Sequence, residues 1–175
     1  MRVYLPSTLP ALADVLREGA VSPAPVHGFA VTPALREAYA SGDDEELEYV
    51  AMLAAARQSL RLLDADPDAA RRRVVLAVDI PDADVSWKPL RPPANDDEPA
   101  AVVLAAAVPR TVLISGHIDA AEAEADVAAA AAAVAAADAG DEDAAFTVDS
   151  AEGHELAWYA VQELQDFSER PRQSP

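Results

Sequence analysis

Ser41-Gly-Asp-Asp-Glu-Glu-Leu-Glu-Tyr-Val-Ala-Met-Leu-Ala-Ala-Ala-Arg-Gln-Ser-Leu-Arg-Leu-Leu63 is the stretch whose reading decides the fold. Asp43 is placed to cap a helix, and Glu46, three residues on, completes a capping box. Asp44, Glu45 and Glu46 set negative charge at the positive end of the helix dipole. Tyr49, Leu53, Ala56, Leu60 and Leu63 recur at steps of four and three and form one apolar stripe. Leu47, Val50 and Ala54 form a second stripe on another side. A long central helix over 43–63, apolar on two sides, belongs between two layers. Arg57 and Arg61, one turn apart, read either as surface arginines near the helix end or as a pair of candidate anion ligands.

N-terminal to this helix, Arg2–Leu5 alternates as a strand does, and Pro6 is expected to end it. Ser7 or Thr8 caps a helix to about Glu18, with Leu9, Leu12 and Leu16 on one face and Gly19 as its stop. Val21–Pro25 is a proline-broken loop. A short β-prone piece, His27–Val31, follows. Thr32-Pro33 opens a further helix, with threonine as cap and proline in the first turn.

C-terminal to the central helix, Val74-Val75-Leu76-Ala77-Val78 is continuously apolar. That suggests a strand covered on both faces, ended by Pro81. Val85-Ser86-Trp87 reads as a short strand. Residues 90–100, proline-rich and acidic, read as a flexible loop. Ala101–Val108 and Thr111–Ile118 read as two more strands. Asp119 then caps a helix to about Ala137: fourteen of the twenty residues from Ala120 to Ala139 are alanine, the best helix former. Residues 139–153 read as an acidic loop. Glu155–Val161 fits either a strand or a helix; a strand is preferred, with a short helix to Phe167. Residues 171–175 read as a disordered tail.

The chain has 175 residues, enough for one domain with a real core, spanning 1–170. Thirteen basic and 31 acidic residues give a net charge of −18. That surface repels nucleic acid and anionic membranes. There is no cysteine, which excludes disulfides, thiolate nucleophiles and cysteine-ligated metals. The apolar run at Met1–Pro6 is too short for a signal peptide, and the alanine run is too weakly apolar for a membrane span. A cytoplasmic protein is the expectation.

No catalytic or metal-binding motif is present. His27, His117 and His154 lack any paired metal-ligand spacing. Ser7 and Ser115-Gly116 lack the glycines of a nucleophile elbow. No phosphate-binding glycine loop occurs, and Asp138–Asp143 does not follow the calcium-loop spacing. The candidates that remain are positional. His117 and Asp119 close a strand and open a helix, where α/β proteins bind ligands, although capping of that helix is the preferred reading of Asp119. Asp79 and Asp82 follow a buried strand, where paired acids hold cations or simply make turns. Arg71-Arg72-Arg73, basic in an acidic chain, reads as a solvated strand entrance in preference to a contact for an acidic partner or another subunit.

Met1–Pro6, Ala30–Leu35, Glu45–Tyr49 and Leu156-Ala157-Trp158-Tyr159 together resemble an uncharacterised family of small actinobacterial proteins, a domain of unknown function. The resemblance implies a bacterial cytosolic protein and supplies no activity, cofactor or site residue. The expected architecture is a single α/β or α+β domain: a mixed sheet of about four to six strands with packed helices. The expected function is a non-enzymatic binding or regulatory module acting through contacts with a protein partner or a second copy, with no cofactor. The alternative is a small enzyme or metabolite- or metal-binding protein with a site at strand ends near Asp79, His117 and Asp119.

Overall fold

The structure is a computed structural model and describes residues 1–39, 41–87 and 98–168. Its elements in chain order are β1 (Arg2–Ser7), α1 (Leu9–Glu18), β2 (Ala20–Val21), β3 (Val26–Ala30), α2 (Pro33–Ala38), α3 (Asp44–Ala65), β4 (Val74–Asp79), β5 (Val85–Ser86), β6 (Ala101–Leu104), β7 (Val108–Pro109), β8 (Leu113–Ile118), α4 (Glu124–Asp138), α5 (Glu142–Glu152), β9 (Ala157–Ala160) and α6 (Gln165–Ser168). The flexible loop and the tail expected from sequence lie largely outside the described residues.

A continuously apolar strand needs cover on both faces, and β4 has it. Val74, Leu76 and Val78 point into a core shared with Leu12 of α1 and Leu164, while Val75 and Ala77 point at α3. Around β4 the sheet runs β5-β6-β3-β1-β4-β8-β9, and β2 pairs with β7 in a second, two-stranded sheet. Every pairing is antiparallel. The fold is therefore α+β, with seven strands in an antiparallel main sheet where a mixed one of four to six was expected. Gly28 of β3 lies against Val3 and Leu5, and a Cβ there would stand 2.8 Å from both side chains, so only glycine permits this approach.

The central helix forms as its sequence dictates. The Asp43 carboxylate accepts from the Glu46 amide (2.9 Å), and the Glu46 carboxylate accepts from the Asp43 amide (3.2 Å). The buried side of α3 is Leu47, Ala51, Met52, Ala55, Ala56, Ser59, Leu60 and Leu63. The apolar periodicity had this direction only in part. Tyr49 is half exposed and Leu53 is half-buried, because small residues, not the largest apolar ones, face the sheet. Ser59 locks the helix to the strands: its hydroxyl donates to the Ser7 carbonyl (2.7 Å) and accepts from the Val74 amide (3.1 Å).

As expected of a helix apolar on two sides, α3 is sandwiched. Its second layer is the helical hairpin α4–α5, packed on Leu60 and Leu63. The alanine-rich helix thus sits on α3 and not on the sheet. The segment expected as an acidic loop over 139–153 is mostly α5, capped by Asp141, whose carboxylate accepts from the Ala144 amide. Its acids fall in a first turn, where they favour a helix as much as a loop. Pro6 does not end β1, which continues to Ser7 in register with Val74. The register with β3 stops at Tyr4, so Pro6 meets a partner on one side only and its missing donor is tolerated. Thr8 and Thr32 cap α1 and α2, Gly19 closes α1 in the left-handed region, and Ala157–Ala160 is a strand.

Candidate functional site

Antiparallel pairing decides where the candidate residues go. Val75 is the register partner of His117, whereas Asp79 lies at the other end of β4, opposite Arg2. Four residues of strand separate the two levels by about 13 Å, and Asp119 lies further still. The trio Asp79, His117 and Asp119 does not converge.

Asp119 is not a helix cap. α4 starts five residues later, after a short 3-10 turn, and no side chain caps it. The β4–β8 register continues one step past Val74 and Ile118, which brings Asp119 opposite Arg73. The Asp119 amide donates to the Arg73 carbonyl (3.1 Å), and the Arg73 amide donates to the Asp119 carboxylate (2.7 Å). The Arg73 guanidinium grips the same carboxylate through Nε (2.9 Å) and Nη2 (2.8 Å), with both side chains wholly buried. This is a structural ion pair that closes the sheet.

The arginine cluster was expected to be solvated, and two of its three members are buried. Arg71 donates to the carbonyls of Leu63, Asp66 and Pro67, finishing the C-terminus of α3. Arg72 donates to the Asp119 carbonyl (2.6 Å) and lies over the Phe167 ring. Nothing in the sequence separates these roles, because the register that assigns them is set by strand pairing. Arg57 and Arg61 are also taken. Arg57 meets Glu152 (3.2 Å), and Arg61 forks onto both oxygens of Asp138 (2.7 and 2.8 Å). They tie α3 to the hairpin and are not a free anion site. Asp79 pairs with Arg2 (3.5 Å), Asp82 with the N-terminal ammonium (2.9 Å), and His154 with Asp126 (2.7 Å). Among the described residues, no group of three or more His, Asp or Glu side chains is placed to hold a metal.

What the fold does assemble is a polar-aromatic patch on the α3 face of the sheet. Tyr4 donates to Glu48 (3.2 Å), and Arg2 lies 3.9 Å from the same carboxylate. The His117 ring stands edge-on to Tyr4, with centroids 6.3 Å apart. Across β8–β9, Trp158 is the register partner of His117 and is 61% exposed. Burial, and then the Arg2 charge, lowers the His117 pKa, so its imidazole is neutral at pH 7. Among the described residues, no hydrogen bond joins His117 to Ser115 or Tyr4.

A family model described as a family of unknown function, DUF6912, matches residues 1–167. The chain belongs to the DUF6912 family. No curated protein and no solved structure matches this DUF6912 chain. Among its described residues, no helix is long and apolar enough to cross a membrane.

Tyr4 supplies a pH test of the patch. Burial first, then the Glu48 charge, pushes its phenol up to about 12. The unfolded chain loses that proton near the ordinary value of 10, while the folded chain keeps it. Stability is therefore expected to fall as pH rises from about 10 to about 12, by about 2 kcal/mol from this group. Urea midpoints compared between wild type and Tyr4→Phe across that range should show the extra slope in wild type alone. Parallel slopes would exclude a buried, proton-retaining Tyr4.

Proposed function

We propose that this protein is a non-enzymatic binding module of the cytoplasm, of actinobacterial origin, that works by docking an extended, basic segment of a protein partner. The observation that carries this reading is Trp158, largely exposed on the edge strand β9. Aromatic residues on a rigid element are the usual anchors of protein interfaces, and an open edge accepts an added strand. The edge is already partly closed by the chain itself. The Ala160 amide donates to the Glu163 carboxylate (2.7 Å), and its carbonyl accepts from the Glu163 amide (2.9 Å). In an antiparallel ladder, residues of that parity turn their polar groups away from the neighbouring strand, which leaves the Trp158 amide and carbonyl facing outward.

Charge selects the partner. Each described arginine has an acidic or carbonyl partner within the chain. With net charge −18, the excess acids are what a visitor meets. A cationic segment is attracted, whereas nucleic acid, an anionic membrane and a second copy are repelled.

The test is a titration with a short synthetic peptide that alternates valine and lysine, followed by tryptophan fluorescence. The expected result is saturable binding that weakens with salt and that Trp158→Ala reduces about tenfold or more. Trp87→Phe isolates the Trp158 signal, and calorimetry reads the Trp158→Ala variant, which lacks that reporter. Binding indifferent to Trp158, or no binding at millimolar peptide, would discard the proposal.

A further inference from the structure

On the opposite face of the sheet from Trp158, a cleft of about 270 Å³ is lined by Arg72, Tyr159, Glu163, Asp166 and Phe167. Arg72 is 5% exposed. Its Nε donates to the Asp119 carbonyl (2.6 Å), and its carbon Cζ lies 5.5 Å from the Phe167 centroid. Its two terminal nitrogens make no hydrogen bond among the described residues. A guanidinium carries five N–H donors and is always charged. Neither terminal nitrogen is a sealed, unsatisfied donor, since among the described residues that is true of Arg73 Nη1 alone; both open onto the cleft, where water or a ligand accepts.

The two acids at the rim are not that acceptor, because neither forms an ion pair with Arg72. Glu163 is held aside by the Ala160 amide (2.7 Å), and both acids are exposed. Tyr159 and Phe167, edge to face at 4.8 Å, give the same cleft an apolar surface. The cleft thus presents a fixed cation, an apolar surface and two carboxylates that do not neutralise one another. A simple anion such as phosphate meets the acids, and a simple amine meets the arginine. A molecule carrying both charges meets neither repulsion. The volume is that of roughly nine waters at about 30 Å³ each, which suits a ligand of amino-acid size.

We propose that this cleft binds a free α-amino acid with an apolar side chain, its carboxylate on Arg72, its ammonium between Glu163 and Asp166, and its side chain on Tyr159 and Phe167. A planar guanidinium is the natural two-point partner of a carboxylate. The cleft shares Tyr159 and Glu163 with the edge strand and its closing turn, but it lies on the face opposite Trp158, so leucine titration of Trp158→Ala separates the two proposals.

The experiment is calorimetric titration of the full chain with L-leucine and with its two halves, 4-methylpentanoate and 3-methylbutylamine. Leucine is expected to bind about tenfold or more tightly than either half, because only it satisfies both charges. Asp166→Asn, an exposed change that leaves the fold in place, is expected to weaken leucine about fivefold while leaving 4-methylpentanoate unchanged or tighter. Glu163→Gln keeps an acceptor for the Ala160 amide and is expected to act in the same direction. Absence of leucine binding at ~10 mM overturns the proposal. So does equal binding of leucine and 4-methylpentanoate, or insensitivity of leucine to both rim variants.

Discussion

Asp119→Asn is expected to destabilise the protein by about 3–5 kcal/mol, the range for breaking a buried ion pair by removing one partner. The substitution keeps the shape and removes the charge. Arg73, wholly buried, would then face an amide in place of the carboxylate that accepts from its Nε, its Nη2 and its own backbone amide. An asparagine oriented to accept at one oxygen turns an NH2 toward a donor at the other, so at least one bond becomes a clash of donors. Arg73 has little to fall back on. Its Nη2 also reaches the His154 carbonyl (2.9 Å), but its Nη1 is buried and has no partner among the described residues. Urea denaturation of the variant is the measurement. Were Asp119 a helix cap, asparagine would serve about equally well and the change would be near zero. A loss below about 1 kcal/mol would therefore return the residue to that role.

Leu60→Ala is the second large effect, with an expected loss of about 2–5 kcal/mol. Leu60 is wholly buried, and its neighbours in the core include Leu63, Val127, Ala130, Val134 and Val148. The surrounding residues are mostly alanine and valine, which have little reach with which to refill the space. The cavity is expected to persist, which places the loss toward the upper end of that range. A denaturation midpoint unchanged from wild type would remove Leu60 from the core.

Both residues show what the sequence discloses and what it withholds. Leu60 was legible because helical periodicity is local and the capping box fixes where α3 begins. The threonine caps, the proline in the first turn of α2, the closing glycine of α1 and the buried run in β4 were legible for the same reason. Asp119 was misread because its partner is 46 positions away and is found only once β4 and β8 are paired. Local chemistry at the end of β8 satisfies a helix start perfectly well, so no rule of sequence spacing reveals the competing claim of Arg73. The sequence left Arg57 and Arg61 open between surface arginines and an anion pair, since their partners Glu152 and Asp138 lie on a hairpin whose docking is tertiary. Tyr49 and Leu53 failed differently. Where the sheet comes close, alanines and a serine fit the gap better than larger apolar groups do, and a hydrophobicity count weights them the wrong way. Of the candidate residues, His117 lies near the end of β8, beside Tyr4. The flanking Trp158, visible as an aromatic in an ambiguous segment, acquired its place only with the order of the strands.

The α4–α5 hairpin has a consequence for how the molecule comes apart. Its main packing partner is α3, which it meets through alanines and valines. Alanine burial yields little free energy per residue, while ordering each backbone unit costs the usual amount. The sheet with α1 and the first half of α3 holds the larger side chains and the buried ion pair. The protein therefore carries two tiers of cooperativity within one domain: an outer foldon of two helices that opens at modest free energy, and an inner one that opens only with global unfolding. Arg57 and Arg61 act as the clasps between the tiers, and because both are partly solvated, their hold loosens as ionic strength rises.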